Sequence, residues 1–567
     1  AIEAYNKTLS IKPDYADAYN NMGNTLKEQG KLNEAIEAFS KALTIKPGYA
    51  EAYYNMGIAL KGVVFNKPSK VLQKIITSIL DKRINVRPKD IAHAAISLLK
   101  LEPNLRRHLQ LLDTEVREIP LDIISDLCEF PLLLELMNVC PLPDLELEKL
   151  FINLRFSILS SISDIKKASP ELLKFQSSLA LQCFTNEFLY DLTGKERKIL
   201  QSLEASVEKA LKNNEQPSPQ IILALASYKA LNEYDWCKLL VTTKYTQEVF
   251  SRQVSEPDEE EKLKKQLSIL EEITDSVSSE VRTQYEESPY PRWVNLELRL
   301  EPSPASEVFN EIKLTLHDKN IEKVEKPEVL IAGCGTGQHS IATAKRFRAA
   351  NVLAIDLSLS SLAYAKRKTE EFAIKNIEYM QADILDLRQL NKKFDIIESG
   401  GVLHHMNNPI AGWKVLTDCL KSGGLMKIGL YSEVARQHIV KIRREINRKN
   451  IRATSAEMRS FRNIIVKSNK DHHKLITTSS DFYSLSALKD LLFHVQEHRF
   501  TIPLIKSNLD KLGLRFCGFE SPQIVAHFTR TNKNKANPHD LNKWQEYEEA
   551  NPQAFAGMYQ FWCQKVG

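Results

Sequence analysis

Two short stretches of this 567-residue chain combine residue types able to bind and activate a small molecule. The first is "EVLIAGCGTGQHSIATA", Glu328 to Ala344, where an apolar run ends in Gly333, Gly335 and Gly337 before a helical pattern resumes. Glycines at such a junction leave backbone N–H groups and a helix N-terminus open to a ligand. The order is GxGxG, with one residue between the second and third glycines where the dinucleotide fingerprint has two, which argues against a bound pyrophosphate. Asp356 then closes the apolar run "NVLAI", and Asp383 closes "IEYMQA". A carboxylate at the first place can accept both hydrogen bonds from ribose hydroxyls. One at the second can accept from an adenine amino group while Ile384 packs on the ring.

The second stretch is "GVLHHM", in which His404 and His405 follow another apolar run. An unperturbed imidazole titrates near pH 6.5, so either ring suits a general base, and His405 is preferred; the structural alternative is a histidine holding its loop by hydrogen bonds. Three further segments carry polar or aromatic groups. "QYEESPYPRWV" sets Tyr285, Tyr290, Arg292 and Trp293 around two prolines, as a stiff arm that either covers a ligand or anchors one domain to another. "FHVQEHRF" contains His494, Glu497, His498 and Arg499 in the order H-x-x-E-H found in inverted zinc proteases. That motif needs a helix, a third ligand and an open site, so acceptor binding or polar packing is the expectation and no metal is assigned. The run from Lys441 to Lys470 holds ten Lys or Arg against Glu445 and Glu457. Its single aromatic, Phe461, makes it the solvated face of a covering helix rather than a nucleic-acid surface.

Elements that position these groups follow from the hydrophobic pattern. Short strands are expected at 329–332, 351–355, 377–382, 394–398, 425–430, 514–519 and 523–528, with helices between them. Such alternation implies a mostly parallel sheet covered by helices on both faces, with its ligand beyond the carboxyl ends of the strands. The first 62 residues instead repeat at a period of 34: Ala1, Ile2, Tyr5, Leu9 and Pro13 return as Ala35, Ile36, Phe39, Leu43 and Pro47. These spacings resemble the tetratricopeptide repeat, with half a repeat, one whole repeat from about Ala16 to Tyr49, and one further helix. So few units cannot bury their faces alone, so further repeats are expected before Ala1, and no leader can be read. Residues 63–275 show helical spacing and no chemical signature.

A net charge of +5 is small for this length and points to neither nucleic acid nor a membrane surface. Eight scattered cysteines without a CxxC pair are expected as reduced thiols in a cytoplasmic protein. No run approaches the roughly 18 apolar residues that a spanning helix needs.

From 327 to 528 the segments "VLIAGCGTG", "VLAIDLS", "YMQADILDL", "FDIIESGGVLHHM" and "LKSGGLMKIGLYS" resemble the class I S-adenosylmethionine-dependent methyltransferase family. The resemblance implies a Rossmann-like sheet of seven strands, with S-adenosylmethionine along Gly333, Cys334, Gly335 and Gly337. It further implies ribose on Asp356 beside Leu357, adenine on Asp383 and Ile384, and the methyl group near Glu398 to His405. The expected organisation is multidomain: repeats at 1–62, a helical domain at 63–275, and a methyltransferase domain at 276–567. The last contains the arm, a helical insertion at 431–513 and a C-terminal helical tail. The expected activity is methyl transfer to an unidentified acceptor, with a protein partner or substrate recruited by the repeats. The alternatives are a non-catalytic interaction scaffold that keeps only cofactor binding, and an RNA methyltransferase. The acceptor pocket is assigned to Tyr285, Tyr290, Arg292, Trp293, Tyr431, Arg436, His494, Glu497 and His498, because strands one to three are occupied by cofactor residues.

Overall fold

The computed structural model describes residues 1–113, 117–532 and 537–566. The chain divides into two compact units, each with its own core. The first comprises Ala1–Asp258, Trp293–Leu298 and Thr477–Leu485; the second comprises Glu259–Arg292, Arg299–Ile476 and Ser486–Gly567.

Helices Ile2–Ile11, Ala16–Glu28, Leu32–Ile45 and Ala50–Ala59 open the first unit. Gly23 lies against the wholly buried ring of Phe39, where an added Cβ would sit 2.6 Å from Cε1, so the smallest residue lets the two helices close together. The core begun by Ala35, Phe39 and Ala52 continues through Ile76, Leu98 and Leu133. The break expected at residue 62 therefore falls inside one core, and this unit's main segment ends at Asp258 rather than at 275. Trp293 to Leu298 belongs here too: Leu296 N–H donates to the Arg83 carbonyl at 2.8 Å and Leu298 N–H to that of Ile84 at 2.9 Å.

In the second unit an eight-stranded sheet runs through β1 (Ser268–Ile269), β2 (Glu328–Ala332), β3 (Asn351–Asp356), β4 (Ile377–Gln381), β5 (Phe394–Gly400), β6 (Leu420–Leu430), β7 (Leu514–Phe519) and β8 (Tyr559–Lys565). Their order is β1-β4-β3-β2-β5-β6-β8-β7, all neighbours parallel except β8, which is antiparallel to both β6 and β7. β2 and β3 are nearly continuous apolar runs, and with β5 they are buried on both faces, as strands covered by helices on two sides must be. The chain order reverses between β2 and β5, which opens a crevice at their carboxyl ends.

Three expectations are corrected. The sheet has eight strands, because the two-residue edge strand β1 is too short to carry an alternating pattern. The segment expected as a strand at 523–528 lies in helix Pro522–Thr531: Ser521-Pro522 is a helix start, and Val525 and Phe528 recur at helical rather than strand spacing. The tail is not wholly helical, since after helix Leu541–Ala550 it returns as β8 beside β6. In β8 Tyr559, Phe561 and Cys563 alternate into the core.

Within 431–513 lie helices Gln437–Arg448, Ser455–Val466, Asp471–Ile476, Leu485–Phe493 and Ile502–Leu512. The basic run supplies the first two of these helices, with Ile439, Ile442 and Ile446 turned into the protein. All eight cysteines are free, and among the described residues no helix is long and apolar enough to cross a membrane.

The tail is tied to the sheet by one buried acid. Glu548 accepts from the Tyr559 hydroxyl at 2.6 and 2.7 Å and from Ser432 Oγ at 2.7 Å. Glu548→Ala leaves both buried hydroxyls without this acceptor and should cost about 3 kcal/mol in urea unfolding. A loss under about 1 kcal/mol would mean that these bonds do not hold the tail to the sheet.

Candidate functional site

β2 ends in a turn that only glycine can make. Gly333, Gly335 and Gly337 have φ of +76°, +52° and +88°, the left-handed region that side chains strain to enter. Space is as restrictive as conformation: a Cβ on Gly333 would collide with Val402, and one on Gly337 would sit 2.6 Å from the Ala365 methyl. Gly333 and Cys334 both donate their N–H to the Ile355 carbonyl at 2.9 Å, which pins the turn to β3.

Asp356, at the end of β3, completes the turn. Its Oδ2 accepts from Gly335 N–H at 2.8 Å and its Oδ1 from Ser358 N–H at 3.0 Å. Burial raises its pKa above the ordinary value, and these N–H groups oppose that rise. Asp383 follows β4, nearly buried, and accepts from Leu385 N–H at 2.9 Å.

A cavity of about 280 Å³ opens over these groups. Gly333, Cys334, Gly335, Asp356, Leu357, Asp383 and Ile384 form one side, so all of the expected cofactor residues except Gly337 line it; Gly337 is used for packing on Ala365. Tyr285, Tyr290, His405, Tyr431, Asp490 and Met558 belong to the same lining. Tyr285 projects from helix Ser276–Glu287, which is held over the site by its own Glu286. The Glu286 carboxylate accepts from Leu359 N–H at 2.5 Å and Ser360 N–H at 3.1 Å, capping helix Leu359–Glu371.

Histidine 405 has a defined orientation. Its Nδ1 lies 2.7 Å from the Gln496 carbonyl and must donate there, which leaves Nε2 as the lone-pair nitrogen. Burial pushes its pKa down to about 4, so the ring is neutral at pH 7. His494 stacks on it at a centroid distance of 3.6 Å, and Gln496 N–H donates to His494 Nδ1 at 3.2 Å. The proton of His494 therefore sits on Nε2, 3.1 Å from the Tyr285 hydroxyl, which in turn donates to Asp490 Oδ1 at 2.6 Å. His405, Asp490 and His494 bring ligand-type atoms within 4.8 Å of one another, and the Tyr285 hydroxyl links His494 to Asp490.

Other expected acceptor residues lie behind the wall. His404 is wholly buried against Tyr431 at a centroid distance of 3.8 Å, and burial holds its pKa well below the ordinary value. Arg436 stacks on Tyr431 at 3.5 Å and grips Glu497 through bonds of 3.3 and 2.8 Å. His498 donates its N–H to the His404 carbonyl at 2.7 Å, and its ring meets Gln496. Helix Leu485–Phe493 stops before the H-x-x-E-H segment, so His494 and His498 are not one helical turn apart. Arg292 does not line the cavity, and Trp293 is sorted into the other unit.

Asp490 and Met558 were not anticipated. Asp490 stands four residues before His494, a helical spacing visible in "KDLLFH", whereas nothing local marks Met558, which comes from the tail. Glu398, expected near the methyl group, pairs with His339, which lines the cavity and was not anticipated. Burial works against the Glu398 carboxylate, but His339, Lys427 and Arg346 outweigh it and hold its pKa below the ordinary value.

Comparison with known proteins agrees with this geometry. The model of the family described as methyltransferase domain matches residues 329–424, and that described as TPR repeat matches 1–30 and 23–62. The chain thus contains a methyltransferase domain preceded by tetratricopeptide repeats. An uncharacterised protein of Synechococcus sp. is 28% identical over 237 residues, covering 39% of this chain and 56% of the relative. The ubiquinone biosynthesis O-methyltransferase of Acinetobacter baylyi is 29% identical over 117 residues, covering 20% of this chain and 48% of the relative. The chain therefore spans about half the length of the curated relatives it matches. Among solved structures, PKMT2 from Rickettsia typhi in complex with AdoHcy is 18% identical over 46% of this chain and 52% of that one, with a TM-score of 0.35, too low to carry an argument.

The buried imidazole generates a pH test. An ordinary histidine pKa near 6.5 in the unfolded chain against about 4 in the native one means that His405 contributes stability above pH 6.5, which is lost as pH falls toward 4. Wild type should lose up to about 3 kcal/mol relative to His405→Asn between pH 7 and pH 4, read by urea unfolding across that range. Parallel curves would contradict the neutral, buried ring.

Proposed function

We propose that this chain transfers a methyl group from S-adenosylmethionine. The observation that carries the reading is the cavity beyond β2, β3 and β4, lined together by a glycine turn, Asp356, and Asp383 with Ile384. These groups fit the cofactor chemically. Bare N–H groups and the turn suit its amino-acid part, each Asp356 oxygen retains a second lone pair for a ribose hydroxyl, and Ile384 offers an apolar surface to the base. Bound there, the cofactor supplies a sulfonium methyl already activated for in-line displacement.

What remains for the protein is alignment and exclusion of water. Tyr285, Tyr290 and Tyr431 wall the acceptor side, and His405 accepts a hydrogen bond from the acceptor through Nε2. Its low basicity makes it a positioning acceptor rather than a strong base. Arg436, Glu497 and His494 hold these walls from behind. In the first unit, the repeats are read as the recruiting surface for a protein partner or substrate.

Calorimetry with S-adenosylmethionine tests the cofactor assignment. Asp356→Ala removes the acceptor for ribose and for Gly335 N–H, and should weaken binding by at least about tenfold, roughly 1.4 kcal/mol. Unchanged affinity would refute the assignment. For the repeats, Ile11 and Tyr15 are exposed apolar residues. Ile11→Glu with Tyr15→Glu should reduce crosslinking of lysate proteins to the chain, and unchanged crosslinking would remove the recruiting role.

A further inference from the structure

Away from the cavity, helices Gln437–Arg448 and Asp471–Ile476 bring together a second set of groups able to hold a metal ion. Glu445 Oε1 lies 2.8 Å from His472 Nε2, and Glu445 Oε2 lies 3.3 Å from His473 Nε2. One atom from each residue falls within 4.8 Å of the others, and the two rings meet at a centroid distance of 4.5 Å. None of the three lines the cofactor cavity, so the cluster is independent of the methyl-transfer reading.

His473 is the informative member. Its ring is buried, yet neither nitrogen makes a hydrogen bond: Nε2 approaches Glu445 without the required alignment, and Nδ1 has no partner among the described residues. A buried polar atom left in this way is costly, and coordination is one means of using its lone pair. Glu445 and His472 keep 18% and 19% of their side chains exposed, so an ion can reach the cluster from solvent. One cation competes for the carboxylate, since Lys470 Nζ sits 2.9 Å from Oε1. Lys470 is more than half exposed, and it exchanges such a partner for water at little cost.

Two imidazole nitrogens and one carboxylate oxygen form a zinc-type ligand set, whereas Ca2+ and Mg2+ favour oxygen alone. Bonds of about 2.0 to 2.1 Å give a tetrahedron with edges of about 3.4 Å. The two measured separations from Glu445 lie near that length, and the edge between the two histidines closes by side-chain rotation. We propose that Glu445, His472 and His473 bind Zn2+, with water in the fourth position, and that the ion clamps helix Asp471–Ile476 to helix Gln437–Arg448. Each imidazole gives the lone pair of Nε2, any proton there passing to Nδ1 or to water, and Glu445 gives one oxygen while Lys470 turns to solvent. The clamped helix begins directly after Arg436, which stacks on Tyr431 of the cavity wall.

The experiment uses the full chain without an affinity tag, stripped by a chelator that is then removed, and zinc chloride as the only probe. Calorimetry should give one zinc per chain with a Kd of about 1 μM or below. Zinc at about a hundred times that Kd should raise the melting temperature by about 2 °C or more. Glu445→Gln and His472→Ala should each weaken binding about a hundredfold, one ligand's share of the free energy of a structural zinc. His472 is partly exposed, so its replacement leaves a folded chain in which to read the loss. Lys470→Ala removes the competing cation and should tighten binding about threefold. No binding at about 100 μM zinc overturns the site, as does an affinity within about threefold of wild type in both ligand variants. Zinc that persists in His472→Ala but is lost in Asp490→Asn overturns it by placing the ion with His405 and His494. Unchanged or weaker binding in Lys470→Ala shows that zinc and Lys470 do not compete for Glu445 and overturns it as well.

Discussion

The close approach of bare backbone at Gly333 to Gly337 is the constraint on which the site depends. β2 lies between β3 and β5, so the chain leaving it must turn at once without striking either neighbour. Val402 fills the place of a side chain at Gly333 from the β5 side, and Ala365 does so at Gly337 from the helix after β3. The same closeness lets one carbonyl, that of Ile355, accept two consecutive N–H groups, and lets Asp356 reach Gly335. A larger residue at either glycine would cost packing and backbone strain together.

That turn makes a floor, and the remaining walls are held by groups buried away from it. Glu286 anchors the overlying helix to the N-terminus of helix Leu359–Glu371. Glu497 gathers Arg436, Arg443 and Arg499, none of which lines the cavity. Glu548 fixes the returning tail beside β6. Glu497 and Glu548 are carboxylates whose burial would be costly alone and whose hydrogen bonds offset that cost.

Much of this was legible in the chain itself. The glycine turn and the acids closing β3 and β4 are local in sequence, because each strand end is followed directly by its own loop. Periodicity likewise marked the repeats, the helical region and the parallel strands, since a doubly covered strand must be apolar throughout and a packed helix must show its face. The strand mistaken at 523–528 had its correction nearby in Ser521-Pro522. The order of strands, by contrast, left no local trace: β8 reaches β6 from more than a hundred residues away.

What the sequence determined by itself was the class of fold and the floor of the cavity, because those follow from short-range pattern and from backbone that only glycine permits. Tertiary structure decided the rest. It drew Tyr285, His405 and Asp490 from three separate segments into one lining, moved Trp293 to the other unit, and turned His494 and Glu497 into supports rather than walls. The orientation of His405 depends on the carbonyl of Gln496, ninety-one residues later in the chain. A side chain's pKa, tautomer and direction are set by neighbours that burial assembles, and no spacing along the chain encodes them.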